Sequence, residues 1–161
     1  MISRRTLLAL ALAAPAPGAL AQPDPRPTRF SSVAVDVRPL LEKGLGAYAE
    51  RLRGVLQAEL SRAFADRLAG DGPRLVVLIR GVSLNAYAGS EGRFRGGTST
   101  DYLDGVALIL DRRGGVLARH PQLSAVPSSS GGAWYDPESE NRRLVALAGH
   151  YASWLRRDLA G

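Results

Sequence analysis

Cysteine is absent from all 161 residues. The chain therefore forms no disulfide, offers no thiolate to zinc or an iron-sulfur cluster, and carries no cysteine nucleophile. It also lacks the acylated N-terminal cysteine of a bacterial lipoprotein. Lysine is nearly absent, with Lys43 alone, and histidine is limited to His120 and His150. Two isolated histidines, with no His-x-His and no HExxH, do not make a metal site, which needs three or four converging ligands. No apolar run reaches the roughly 20 residues that span a bilayer. Arg51, Arg53, Arg62, Arg67, Arg142, Arg143, Arg156 and Arg157 fall on the solvent sides of two expected helices instead of clustering on one face between aromatic stacking platforms, so no nucleic-acid partner is expected.

What is present begins with "SRRTLLALALAAPAPGALAQ", residues 3–22. Arg4 and Arg5 give a positive start, Leu7–Ala14 a short apolar core, and Ala19-Leu20-Ala21 the small-x-small pattern read by signal peptidase. Residues 1–21 are expected to be a cleavable signal peptide, cut near Ala21, which places the mature chain in the periplasm or outside the cell. The order Ser3-Arg4-Arg5-Thr6-Leu7-Leu8 resembles the twin-arginine export signal, which implies cargo that crosses the membrane folded. The resemblance names no cofactor, and none is expected.

With residues 1–21 removed, 140 residues remain, enough for one domain with a core of its own. The removed segment holds two of the 21 basic residues and no acidic one, so the net charge falls from +6 to +4. Residues 22–29, "QPDPRPTR", place a proline at every second position and read as an extended tether. A single domain over 30–161 follows.

"FSSVAVDV" alternates Val33, Val35 and Val37 against Ser32, Ala34 and Asp36, the period of a half-buried strand, and Pro39 closes it. Between Leu40 and Leu68 the spacing changes to three and four, through Leu41, Leu45, Tyr48, Leu52, Leu56, Leu60 and Phe64. One long amphipathic helix is expected there, stopped by "AGDGP" at 69–73. Strands follow at 74–89 and 101–111, and "DRRGG" at 111–115 turns the latter into an antiparallel hairpin with 116–126. In the strand at 101–111, Val106, Leu108 and Leu110 share one face, and Ala107 and Ile109 the other. Asp136 as N-cap and Pro137 at the first position open a last helix, with Leu144, Leu147, Tyr151, Trp154, Leu155 and Leu159 as its stripe and Arg142, Arg143, Arg156 and Arg157 mostly outside it.

The fold class expected is α+β: a small, mostly antiparallel sheet of about four strands, element order β-α-β-β-β-α, with two helices on one face. The first two strands are expected parallel, adjacent or with one strand between them. That order is similar to the lipopolysaccharide-assembly lipoprotein of the outer-membrane translocon, and the whole pattern resembles exported proteins of GC-rich bacteria. The missing cysteine is a departure from the lipoprotein family.

No catalytic, cofactor or metal residue is assigned. Asp101 and Asp104 point to opposite faces of a strand and read as turn and edge residues. "PSSSGG" at 127–132 lacks the GxSxG elbow, and "GSEGRFRGGTSTD" at 89–101 lacks a phosphate-loop pattern; both read as flexible connections. The contact candidates are Trp134 and Tyr135 in the loop before the last helix, with Arg93, Phe94 and Arg95 in the glycine-rich loop. The reading is a non-catalytic, exported periplasmic binding or accessory protein that engages an envelope protein or lipid component through a sheet face or aromatic loop. A carrier of a small apolar ligand or lipid is the alternative, and a hydrolase stands third.

Overall fold

The structure, a computed structural model, describes residues 29–84, 99–133 and 135–160. Its elements are β1 (Ser32–Asp36), α1 (Arg38–Glu42), α2 (Gly46–Ala63), β2 (Arg74–Ser83), β3 (Thr100–Leu110), β4 (Val116–Pro127) and α3 (Ser139–Ala160), with 3-10 turns at Ala65–Arg67 and Ser128–Gly131. The sheet order is β1-β2-β3-β4. β1 runs parallel to its direct neighbour β2, and the other pairs are antiparallel. The α+β class and the β-α-β-β-β-α order match the sequence reading.

Four boundaries differ from it. The strand expected over 74–89 ends at Ser83, and 85–89 lie outside the described residues. The helix expected from Leu40 to Leu68 is two helices and a 3-10 turn. Gly44 and Gly46 adopt φ of +82° and +43°, the left-handed region that L side chains avoid, and the chain turns there. Pro39 does not close β1; it sits in the first turn of α1, where its missing N–H costs no helical bond. The last helix begins at Ser139, because Asp136 makes a turn of its own: its carbonyl accepts from the Ser139 N–H at 2.9 Å and its Oδ1 from the Glu138 N–H at 2.9 Å.

All three helices cover one sheet face. Alternation puts Leu75, Val77 and Ile79 of β2 and Leu103, Ala107 and Ile109 of β3 on that face, and all are buried. Against them pack Leu40, then Ala49, Leu52, Leu56 and Leu60 of α2, then Leu144, Leu147, Ala148, Tyr151 and Leu155 of α3. Phe30 and Phe64 close one end edge-to-face, with centroids 5.7 Å apart. Gly105 lets α3 approach the sheet: a β-carbon there would lie 2.7 Å from the Tyr151 hydroxyl and 2.9 Å from the Leu78 carbonyl oxygen. Tyr151 is fully buried beneath it, which pushes its phenol pKa well up.

The two sheet edges are treated differently. At β1, Gln57 of α2 acts as a substitute strand: its Nε2 donates to the Val33 carbonyl and its Oε1 accepts from the Val35 N–H, both at 3.0 Å. At β4, twelve residues long, Pro121 lies mid-strand with no N–H to offer a further strand.

Candidate functional site

The face of the sheet away from the helices is built by the other half of the alternation. In register it presents Ala34, Val76, Leu108 and Arg119 in one row, then Asp36, Leu78, Val106 and Pro121 in the next. Arg74 and Leu110 flank these at one end. Past the bulge between Ile79 and Gly81, the rows Gly81, Asp104, Leu123 and Ser83, Tyr102, Ala125 flank them at the other. Val76, Leu78, Val106, Leu108 and Leu110 are half-buried and are not part of the helix-side core. No described helix packs over them. Leu123 is 65% exposed and Tyr102 41%.

This apolar strip runs between charged pairs. Arg80 meets Asp104 at 2.6 Å, and Arg38 grips Asp36 through its Nε and Nη2, which holds the Asp36 carboxyl below its usual range. The two faces of β3 divide as expected, but it is Ile109 that enters the core, and its neighbours Leu108 and Leu110 that are left on the open face.

A second surface feature is a groove of about 570 Å³ between β4 and α3, lined by His120, Pro121, Gln122, Leu123, Ala125, His150, Trp154 and Asp158. It brings the two histidines to one place, which nothing in their spacing had suggested. His120 Nε2 lies 3.2 Å from Asp158 Oδ2. The Trp154 indole N–H donates to His150 Nε2 at 2.7 Å, one helical turn away, and Arg157 stacks on the Trp154 ring at 3.7 Å. Because His150 Nε2 accepts, its proton sits on Nδ1. Burial first, and then the charge of Arg157, lower the His150 pKa and favour that neutral form. Gln122 is buried at the groove's base, where its Nε2 donates to the Tyr151 carbonyl at 2.9 Å. Among the described residues no three His, Cys, Asp or Glu side chains converge as metal ligands.

The third feature is buried. Asp101 of β3 and Arg143 of α3 form a bidentate ion pair with side-chain exposures of 1% and 7%. Arg143 Nε donates to Asp101 Oδ2 at 2.8 Å and its Nη2 to Oδ1, while the Ser128 hydroxyl donates to Oδ1 at 2.7 Å. This corrects three expectations. Asp101 is not a turn or edge residue, Arg143 does not lie on the solvent side of its helix, and Ser128 is not in a flexible connection. The aspartate and arginine neutralise each other in a site that could hold neither alone. Together they pin the 128–131 turn, and so the start of the loop bearing Tyr135, to the sheet. As expected, Asp104 points to the opposite face from Asp101.

Beside this pair a pocket of about 430 Å³ is lined by Leu45, Tyr48, Val82, Leu84, Glu140 and Arg143. Burial, aided by the charges of Glu140 and Asp101, pushes the Tyr48 phenol up to about 12, so it stays protonated at neutral pH.

Of the five contact candidates, Tyr135 is placed on the surface, 75% exposed. Trp134, Arg93, Phe94 and Arg95 lie outside the described residues, as do the signal and most of the tether. The structure thus adds the β4–α3 groove and the buried ion pair to what sequence reasoning found. The i, i+4 spacing of His150 and Trp154 could have shown their contact on α3, but not the groove with β4.

No protein-family model matches the chain, and no curated protein sequence does. Solved structures do. A "putative lipoprotein" from Caulobacter crescentus CB15 superposes with a TM-score of 0.48 at 18% identity, covering 81% of this chain and 87% of that one. A Xanthomonas campestris protein of family DUF330 gives 0.45 at 19% identity, over 68% of this chain and 59% of that one. A minor lipoprotein from Acinetobacter baumannii gives 0.41 at 14% identity, over 81% and 93%. At these values the likenesses carry no activity, partner or location across to this chain.

Proposed function

We propose that this chain is an exported, non-catalytic binding or accessory protein of the cell envelope, and that the open sheet face is what it presents to its partner. The observation that supports this most is the one-sided cover. Three helices pack on one face and leave Val76, Leu78, Val106, Leu108 and Leu110 on the other, rimmed by ion pairs. A contiguous apolar strip with a charged rim is the usual composition of a protein-binding surface. Export rests on the N-terminal segment, with its paired arginines, short apolar core and Ala19-Leu20-Ala21.

Native mass measurement on the protein recovered from the envelope of its own host tests this reading. The expected result is a complex with a second protein that is lost in a Leu78→Glu/Leu108→Glu variant which still folds. A bare monomer in both would sink it.

A second reading, a carrier of a small apolar ligand, is favoured by the β4–α3 groove with Trp154, Leu123 and Ala125 on its walls. It predicts a small added mass that disappears in Trp154→Ala and persists in the open-face variant.

A further inference from the structure

Seven described arginines each hold a carboxylate in a short ion pair. Of the described arginines outside that set, three gather at one end of the sheet. Arg74, Arg112 and Arg113 line a cleft of about 420 Å³ with Ser31, Gly70 and Gly72. Arg74 and Arg113 have no carboxylate partner among the described residues. Arg112 reaches only Asp71, at 3.3 Å, with both side chains in solvent. Asp111, in the same hairpin, is turned onto the backbone: its Oδ1 accepts from the Arg113 N–H at 2.8 Å and the Gly115 N–H at 2.7 Å.

The same end exposes large apolar side chains. Val116 and Leu117 follow the hairpin turn directly, at 45% and 58% exposure, and Leu68 stands beside the 69–73 turn. The hairpin thus carries two guanidiniums at its tip and two apolar side chains just behind them.

From this juxtaposition we infer that this end of the domain docks on an anionic membrane surface, with Arg74, Arg112 and Arg113 taking lipid phosphates and Val116 and Leu117 entering the interface. Guanidiniums match phosphate oxygens in charge and in fork geometry. A site for a single soluble phosphate would enclose it among buried donors. Here the cations are exposed, spread over a shallow cleft and set beside apolar side chains, the mixture that a lipid-water boundary satisfies on both counts. No described helix is long and apolar enough to cross a membrane. The contact does not depend on what the open sheet face binds.

Vesicle flotation tests this, using the exported form of the protein and vesicles of phosphatidylcholine with or without phosphatidylglycerol. Binding is expected only to the anionic vesicles and is expected to be lost in high salt. An Arg74→Ala/Arg112→Ala/Arg113→Ala variant, with an unchanged melting temperature, should bind about a hundredfold more weakly, at roughly fivefold per guanidinium near the surface. Leu117→Ser should weaken binding without changing the net charge. As a charge control, Arg51→Ala/Arg53→Ala/Arg62→Ala on the outer face of α2 should leave binding within about twofold.

Equal loss in that control would overturn the inference, because net charge alone would then explain the binding. Binding unaffected by the cleft variant would also overturn it. So would inorganic phosphate binding the cleft, by calorimetry, while anionic vesicles are ignored, since the cleft would then serve a soluble anion.

Discussion

Replacing Arg143 with methionine keeps most of the side-chain volume and removes the charge. Asp101, 1% exposed, then loses both guanidinium bonds while remaining beneath α3. Removing one member of a buried, hydrogen-bonded pair costs about 3–5 kcal/mol, because the survivor must be protonated or left charged in an apolar site. Total stabilities of domains are only about 5–15 kcal/mol. For a domain of this size the loss lowers the melting temperature by roughly 10–20 °C.

The assay is urea denaturation followed by circular dichroism, run on Arg143→Met, Asp101→Leu and the double variant. Each single change strands a buried charged group, whereas the double change leaves the Ser128 hydroxyl its bond to Ser99 Oγ at 3.2 Å. The double variant should therefore be more stable than the sum of the single losses predicts, with a coupling of about 1–3 kcal/mol. A loss below about 1 kcal/mol for Arg143→Met, or strict additivity, would refute the reasoning.

Gln57→Ala should cost about 1–3 kcal/mol, since it strips both hydrogen bonds from the β1 edge; a denaturation midpoint unchanged from wild type would contradict the role given to it. Gly105→Ala should destabilise by about 1–3 kcal/mol, because the new methyl meets the Tyr151 hydroxyl and the Leu78 carbonyl; a melting temperature equal to wild type would show that α3 is free to shift. The lowered His150 pKa gives stability a pH dependence. Above the ordinary value of 6.5 both folded and unfolded states are neutral, while below it the unfolded chain takes up a proton that the folded one resists, so stability falls as pH falls. Urea midpoints compared at about pH 7.5 and about pH 5.5 should differ less in His150→Gln than in wild type, and equal differences would place the titration elsewhere.

The antiparallel run of β2, β3 and β4 and the two-faced character of β3 were legible because alternation has a period of two and the Asp111-to-Gly115 turn fixes the pairing of β3 with β4, while the place of β1 beside β2 stayed open between two arrangements. The break near Gly44 was not, because a glycine inside a helical pattern reads as a weak point until its backbone is seen with positive φ. Arg143 was misread for a similar reason. It stands four residues before Leu147 and so on the buried stripe, yet a charged residue there makes sense only once Asp101, 42 residues away, is known to face it. His120 and His150 met through the packing of α3 beside β4, a tertiary fact with no local signature. The open face was readable as a conditional: if both helices choose one side, the apolar residues of the other are left to a partner.

Photo-crosslinking inside the native host tests that last point most directly. A photoreactive side chain would be placed at Leu108 on the open face and, separately, at Glu50 on the outer face of α2. The account predicts one discrete adduct with an envelope component from position 108 and none from position 50. No adduct from position 108, or the same adducts from both positions, would contradict it.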